Sequence, residues 1–334
     1  LTTIADVANL AGLSRATVSR VINNHPNVSE EKKRLVREAM DRLNYVPNSS
    51  AQKLRSQKTD TIAILVPVLT NPFFAYLLEA MDEVATENNL QLLVCQTRYD
   101  KEKEHNYLKL LMTKQVDGLI LTSCENDWNS LAEYAKYGPM ILCNESSEQV
   151  PVPAVRLDHE KAAFDACCHL IEQGCRRIAF TYGDTVSSVT LGREAGYKSA
   201  LSHHGIPLCE DLLVSQVYNL EDGRKAFNYF TSLKERPDGI FTGSDQVATG
   251  IIMEAKANNI NIPDDLAIIG FDDQPIATVV EPALTTIRQP IKEMGKKAME
   301  MLIEAIGQKE TLTYQEILLP YELMIRDSSK FKIN

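Results

Sequence analysis

Arg15 and Arg20 stand five residues apart in the stretch Leu13-Ser14-Arg15-Ala16-Thr17-Val18-Ser19-Arg20-Val21-Ile22-Asn23, which also carries an apolar face of Val18, Val21 and Ile22. A guanidinium presents a planar fork of donors that suits the O6 and N7 acceptors of guanine, and the small Ala16 suits contact with a thymine methyl. The hydroxyls of Thr17 and Ser19 suit phosphate oxygens. Such chemistry requires a rigid helix whose first turn faces the duplex. Ser14 is placed to cap that helix. Before it, Thr3 with Asp6 three residues on starts a first helix with Ile4, Val7 and Ala8 on one face, and Gly12 ends it. Ser29-Glu30-Glu31 starts a third, with acids at its positive end and a stripe of Leu35, Val36, Ala39, Met40 and Leu43. This is the pattern of a helix-turn-helix whose second helix reads base edges. On these residues alone, a surface helix with two solvated arginines stays open.

The charge distribution favours the first reading. Residues 1–58 hold ten Lys and Arg against five Asp and Glu, a net +5, whereas the remainder, with 25 against 40, carries −15. A basic front end on an acidic body suits a partner that is a polyanion. A polar linker follows the three helices, Pro47-Asn48-Ser49-Ser50-Ala51-Gln52-Lys53-Leu54-Arg55, with one conspicuous leucine.

From residue 61 apolar runs of strand length alternate with amphipathic helices. Strands are predicted over 61–67, 90–96, 117–123 and 139–143, then in a second round over 154–158, 176–182, 212–217, 238–244 and 266–272. Helices are predicted between them, near 73–89, 101–114, 127–136, 159–173, 191–204, 222–233 and 246–258. Continuous apolar strands alternating with helices imply parallel sheets covered on both faces. Two rounds imply two similar doubly wound lobes, with a ligand site in the crevice at the carboxyl ends of the strands.

The head sequence, from Ile4-Ala5-Asp6-Val7 through Leu43-Asn44-Tyr45-Val46-Pro47 to Leu54-Arg55, closely resembles that of the lac and galactose repressor family. The resemblance continues through 71–81, 116–123, 242–250, 268–273 and 282–290, in the family's order. It implies a homodimeric transcription regulator, most simply a repressor. The head would span 1–46 and a hinge helix or linker 47–58. The core would resemble periplasmic binding proteins, one lobe made of 59–158 and 289–317, the other of 159–288 and 318–330. It further implies that the linker is helical only on DNA, with Leu54 matching the leucine wedged into the minor groove and Asn48 beside it in the DNA-binding set. An isolated helix of this length is marginal in water, and apolar wedges that kink DNA are a known minor-groove device. For the effector, the resemblance points to Phe73 and Phe74 as an aromatic platform, with Asn144, Arg193 and Asp272 as polar contacts. Tyr218 and Asp245 fall at strand ends by the same reading. For Asp245 a cap on the helix that follows it is the favoured reading. The effector implied is a small carbohydrate. One branch of the family instead takes a phosphorylated phosphocarrier protein as co-effector, and this is kept as the alternative.

Other function classes find little support. No G-x-G-x-x-G follows the first strand, no phosphate loop is present, and no Ser/His/Asp or Cys/His set is visible, so neither an enzyme nor a bound cofactor is expected. The six histidines form no ligand pair at i and i+4, and the seven cysteines form no C-x-x-C pair, so no metal site is expected and the thiols read as free. A solute-binding protein without a transcriptional role would share the core, yet the head argues against it. The first residues read as a helix start, not a leader, which implies a cytoplasmic protein. The polar final segment lacks the leucine heptad that makes some family members tetramers, so a dimer is expected.

Overall fold

The computed structural model describes residues 2–23, 25–46, 58–147, 150, 152–183, 187–307 and 315–330. The chain divides into two compact units, 1–58 and 59–334. The first contains α1 (Ile4–Ala11), α2 (Arg15–Ile22) and α3 (Glu30–Arg42). At the start of α1 the Asp6 carboxylate accepts from the Thr3 N–H and hydroxyl, both at 2.8 Å. Gly12 ends α1 with φ +64°, a backbone conformation in which the missing side chain removes the steric cost. The Ser14 hydroxyl then accepts from the Thr17 N–H at 3.2 Å and caps α2. Val7, Ala8, Val18, Val21, Val28, Val36 and Ala39 form the shared core of the three helices.

The second unit holds two six-stranded sheets. The first lobe is built from β1 (Thr61–Val66), α4 (Pro72–Glu87), β2 (Gln91–Gln96), α5 (Lys101–Met112), β3 (Gly118–Leu121), α6 (Trp128–Ala135), β4 (Met140–Cys143) and β5 (Ala154–Leu157). The second contains α7 (His159–Glu172), β6 (Ile178–Thr181), α8 (Ser188–His203), β7 (Leu213–Val214), α9 (Leu220–Ser232), β8 (Gly239–Thr242), α10 (Asp245–Ala257), β9 (Ala267–Asp272), α11 (Ile276–Val279) and β10 (Thr285–Arg288). The chain then returns through α12 (Ile291–Gly307) and β11 (Glu316–Leu319) to the first lobe and ends with β12 (Glu322–Met324) in the second.

The sheet orders are β11-β5-β4-β3-β1-β2 and β12-β10-β9-β8-β6-β7. All pairings are parallel except β10 with β12. Both lobes therefore reverse strand order beside their first strand, β1 or β6, and a crevice opens there at the carboxyl ends. The chain crosses between sheets three times, after β5, after β10 and after β11. The last crossing follows Leu319, two residues later than position 317, because the edge pairing of β11 with β5 runs from Glu316↔Ala154 to Leu319↔Leu157. The stretch 212–217 forms only the two-residue β7, since Gln216 turns back with φ +60°.

Candidate functional site

In the head, Arg15, Ala16 and Arg20 are exposed along α2, while Val18 and Val21 face the core. Thr17 Oγ1 lies 2.9 Å from Ser14 Oγ, and Asn23 Nδ2 donates to the Ser19 carbonyl at 2.7 Å and to its hydroxyl at 3.3 Å. The two hydroxyls thus also stabilise the ends of the helix they sit on. Asn48 and Leu54 lie outside the described residues.

In the core, a cavity of about 130 Å³ lies between the lobes at the carboxyl ends of β1, β3, β4, β6, β8 and β9. Phe73, Phe74, Asn144, Arg193, Tyr218 and Asp272 all line it. Asn71 caps α4 through Oδ1 on the Phe73 N–H, and this fixes the two phenyl rings edge to face with centroids 5.0 Å apart. Asn144 (φ +72°) and Asp272 (φ +109°) follow or end their strands in the left-handed region that non-glycine residues rarely adopt. Such residues cost about 1–3 kcal/mol each and cluster at functional sites.

Arg193 projects from α8 into the buried wall. Its guanidinium carbon sits 3.4 Å from the Phe271 ring centroid, Nη1 donates to the Gly243 carbonyl at 2.9 Å, and Nε donates to His159 Nδ1 at 3.4 Å. His159 in turn donates from Nε2 to Asn144 Oδ1 at 3.0 Å, the tautomer this chain of donors assigns. Burial, reinforced by Arg193, holds the imidazole well below its ordinary pKa and so neutral. Burial lowers Arg193 to about 10, against the opposing pull of Asp272 and Glu145. Asp272 is raised by burial to about 6 even though Arg193, Gln289 and Gln274 favour its ionised form. Gln289 Nε2 donates to its Oδ1 at 2.5 Å and Gln274 Nε2 to its Oδ2 at 2.9 Å.

Asp245 does not reach the cavity, and it is not the cap either. Ser244 caps α10, with its hydroxyl accepting from the Val247 N–H at 3.4 Å. The Asp245 carboxylate turns inward, where Oδ1 accepts from Thr286 Oγ1 and Oδ2 from the Gln274 N–H, both at 2.6 Å. It fills space left by Gly270, where a Cβ would collide with the carboxylate. Its role is to tie α10 to β10 and to the turn after β9.

Sequence reading missed several wall residues. His159, Gln289 and Glu145 lie at crossovers or just past strand ends. Glu145 joins the lobes: Ser187 Oγ donates to it at 2.7 Å, the Ser188 N–H at 3.0 Å, and the Ser188 hydroxyl as well. Asn71 and Gln274 make a second bond across the cleft at 3.0 Å, and Tyr99 meets Tyr218 with ring centroids 4.6 Å apart. A polar residue directly after an apolar strand, as in Cys143-Asn144-Glu145, was the available signal.

The sequence pattern described as "Bacterial regulatory proteins, lacI family" matches residues 3–48, and that of "Periplasmic binding proteins and sugar binding domain of LacI family" matches 59–327. The chain belongs to the LacI family. It is a DNA-binding transcription regulator of the repressor type, with a sugar-binding type of core. The chain is 41% identical to the NTD biosynthesis operon regulator NtdR of Bacillus subtilis (strain 168), over 98% of this chain and 99% of that protein. It is 35% identical to catabolite control protein A of Priestia megaterium, over 98% and 99%. Its fold is that of the lac repressor dimer bound to operator and the anti-inducer ONPF, with a TM-score of 0.85 over 99% of each chain at 24% identity. A solute-binding protein without a transcriptional role is not favoured, because the head belongs to the same family as the core. Among the described residues no helix is long and apolar enough to cross a membrane.

Proposed function

We propose that this LacI-family regulator is a cytoplasmic homodimer whose operator affinity is set by a small carbohydrate held between the core lobes, without turnover of that ligand. The observation that carries the reading is the convergence of Arg193, Asp272, Asn144 and the Phe73–Phe74 pair on one buried cavity at the carboxyl ends of the strands. A sugar needs this combination, an apolar platform for a ring face and a few fixed polar groups for its hydroxyls. In the head, Arg15 and Arg20 address base edges, Ala16 a thymine methyl, and Thr17 and Ser19 phosphates; Asn48 and Leu54 belong to the DNA-binding linker. Two-fold pairing of heads suits a near-palindromic operator.

Dimerisation is supported by exposed apolar side chains on an outer strand. Leu93 and Val94 are each 40% exposed on β2, the edge strand of the first sheet. An uncovered apolar edge is a template for pairing with another chain. The phosphocarrier alternative rests on the similarity to catabolite control protein A and is not favoured over a small ligand, for which the cavity itself speaks.

The test is footprinting of the purified protein on genomic fragments, with and without a panel of small sugars. A protected near-palindrome whose protection shifts with one sugar is the expected result, and Arg193→Ala should abolish the shift while retaining protection. Chemical conversion of the sugar would replace the regulator reading with an enzymatic one.

A further inference from the structure

Two tyrosines from opposite lobes meet at the rim of the cavity. Tyr99 follows β2 in the first lobe and Tyr218 precedes α9 in the second. Their ring centroids lie 4.6 Å apart at an interplanar angle of 32°. Both line the cavity and both are half-buried, whereas Asn144, Arg193, Asp272 and Gln289 on its floor are buried. The pair therefore stands on the solvent side. Neither ring is part of the apolar core of its lobe.

Each ring is aimed by backbone in a conformation that its residues disfavour. Arg98 (φ +58°) and Tyr99 (φ +56°) form the centre of a tight turn that the Asp100 N–H closes onto the Thr97 carbonyl at 3.2 Å. Positive φ at both central positions is the pattern of a type I′ turn, which favours Asn-Gly, and a bulky side chain there is an outlier. The turn is pinned at both ends. The Arg98 N–H donates to the Pro67 carbonyl at 2.8 Å, and the Asp100 carboxylate caps α5 by accepting from the Glu102 and Lys103 N–H groups. In the second lobe Gln216 (φ +60°) turns the chain back, its N–H donating to the Gly183 carbonyl at 3.1 Å. The Tyr218 ring then lies so close to Gly183 that a Cβ there would come within 2.8 Å of it. Three non-glycine residues in the left-handed region thus hold two rings face to face across the cleft. Backbone cost of this kind persists where function requires the geometry.

We propose that Tyr99 and Tyr218 form a gate: their stacked rings close the solvent side of the cleft, and a ligand enters or leaves only when the pair parts. This rests on the reading of the cavity as the effector site and concerns access to it, not the chemistry of what binds. A stacked aromatic pair shifts an opening equilibrium by roughly tenfold, and opening of such a lid limits exchange with the site beneath.

The test places a reporter thiol inside the cavity. Thr190 lines it from α8 and is 7% exposed, and Thr190→Cys is close to isosteric. The full chain with Thr190→Cys is labelled with a trimethylammonium-ethyl methanethiosulfonate, with neither sugar nor DNA present. Peptide mass spectrometry reads the label at position 190 separately from the native thiols. Adding Tyr99→Ala should speed labelling at position 190 by about tenfold, and Tyr99→Phe, which keeps the ring, should stay within about threefold of the parent. Tyr218→Ala repeats the measurement from the other lobe with a different folding risk. Cys143, at the end of β4 with no exposed surface, reports general loosening of the fold and should stay protected throughout. Equal rates at position 190 in the parent and both alanine variants, or a rise there matched by an equal rise at Cys143, would overturn the gate. Failure of the effector reading has a separate signature, footprints that no sugar shifts, and leaves the labelling rates untouched.

Discussion

Arg193 and Asp272 show how much of a residue's chemistry comes from its surroundings. Both sit in one buried wall, and desolvation moves them toward neutrality while their mutual attraction resists. For Asp272 the sign of the pH dependence follows. Its folded pKa of about 6 lies above the ordinary value of roughly 3.9, so its contribution to stability is fully present below the lower value and is lost as pH rises through about 6. The unliganded core should therefore lose stability across that window, and Asp272→Asn should flatten the slope in thermal unfolding scans. A ligand that donates to the carboxylate needs it ionised, so effector affinity should fall as pH drops below about 6, by up to about tenfold per unit. An affinity flat from pH 7 to 5 would take Asp272 out of the ligand contacts. In the head, Arg20→Ala should cost about 1–3 kcal/mol of operator binding and relax the preference at one base pair per half-site. Equal losses on every sequence would assign Arg20 to phosphate. Asp272 and Asn144 were legible because they end or follow recognisable strands, and Arg193 because it lies near the start of a predicted helix within a family motif. His159 and Gln289 were not, since a crossover whose path no local pattern encodes brings Gln289 to the cavity and another brings His159 behind Asn144 and Arg193. Asp245 misled because position N1 of a helix after a strand resembles a cleft position until the neighbouring Gly270 is seen to admit its side chain inward.

At the scale of elements, parallel strands read well because they are buried on both faces and leave uninterrupted apolar runs. β10 left no such mark: Thr285 and Thr286 are fully buried, yet the run reads as polar. Thr285 Oγ1 donates to the Arg326 carbonyl at 3.0 Å and Thr286 Oγ1 donates to Asp245, so the polar groups are satisfied by partners distant in sequence. Helix packing in the second lobe likewise depends on residues whose importance only the fold reveals. Gly196 of α8 faces α7 so closely that a Cβ would run into the Glu160 carbonyl and approach the Phe164 nitrogen to 2.8 Å. Gly223 of α9 and Gly250 of α10 meet the backbone of each other's helix in the same manner. In an isolated helix Gly→Ala is favourable by about 1 kcal/mol. Gly196→Ala should nevertheless destabilise this lobe by about 1–3 kcal/mol, because backbone cannot move aside as a side-chain tip can. Because α8 carries Arg193, effector affinity should fall with it. A melting temperature at or above that of the parent would show that α7 and α8 separate without cost.

At the scale of the whole molecule, regulation requires that both ligands bias one two-state equilibrium. The core contains a candidate for one half of such an element. Glu145 with Ser187 and Ser188, and Asn71 with Gln274, connect the lobes across the cavity that the effector is proposed to fill. A ligand there changes the balance of lobe positions by as much as it binds one arrangement better than the other. The other half is the linker, where Leu54 is proposed to wedge the minor groove. Linkage makes the coupling reciprocal: the factor by which effector changes operator affinity is the factor by which operator changes effector affinity. Measured separately, by calorimetry with and without a saturating operator duplex and by gel shift with and without saturating effector, the two factors should agree. Leu54→Ala then separates the steps. It should leave effector affinity of the operator-free protein unchanged, weaken specific operator binding, and reduce the DNA bend seen in circular-permutation gel assays. Since the wedge acts only on DNA, the loss should be greater for the operator than for unrelated duplex. A Leu54→Ala protein that bends its operator fully would leave Leu54 as a packing residue, and the coupling would have to pass through some other part of the linker.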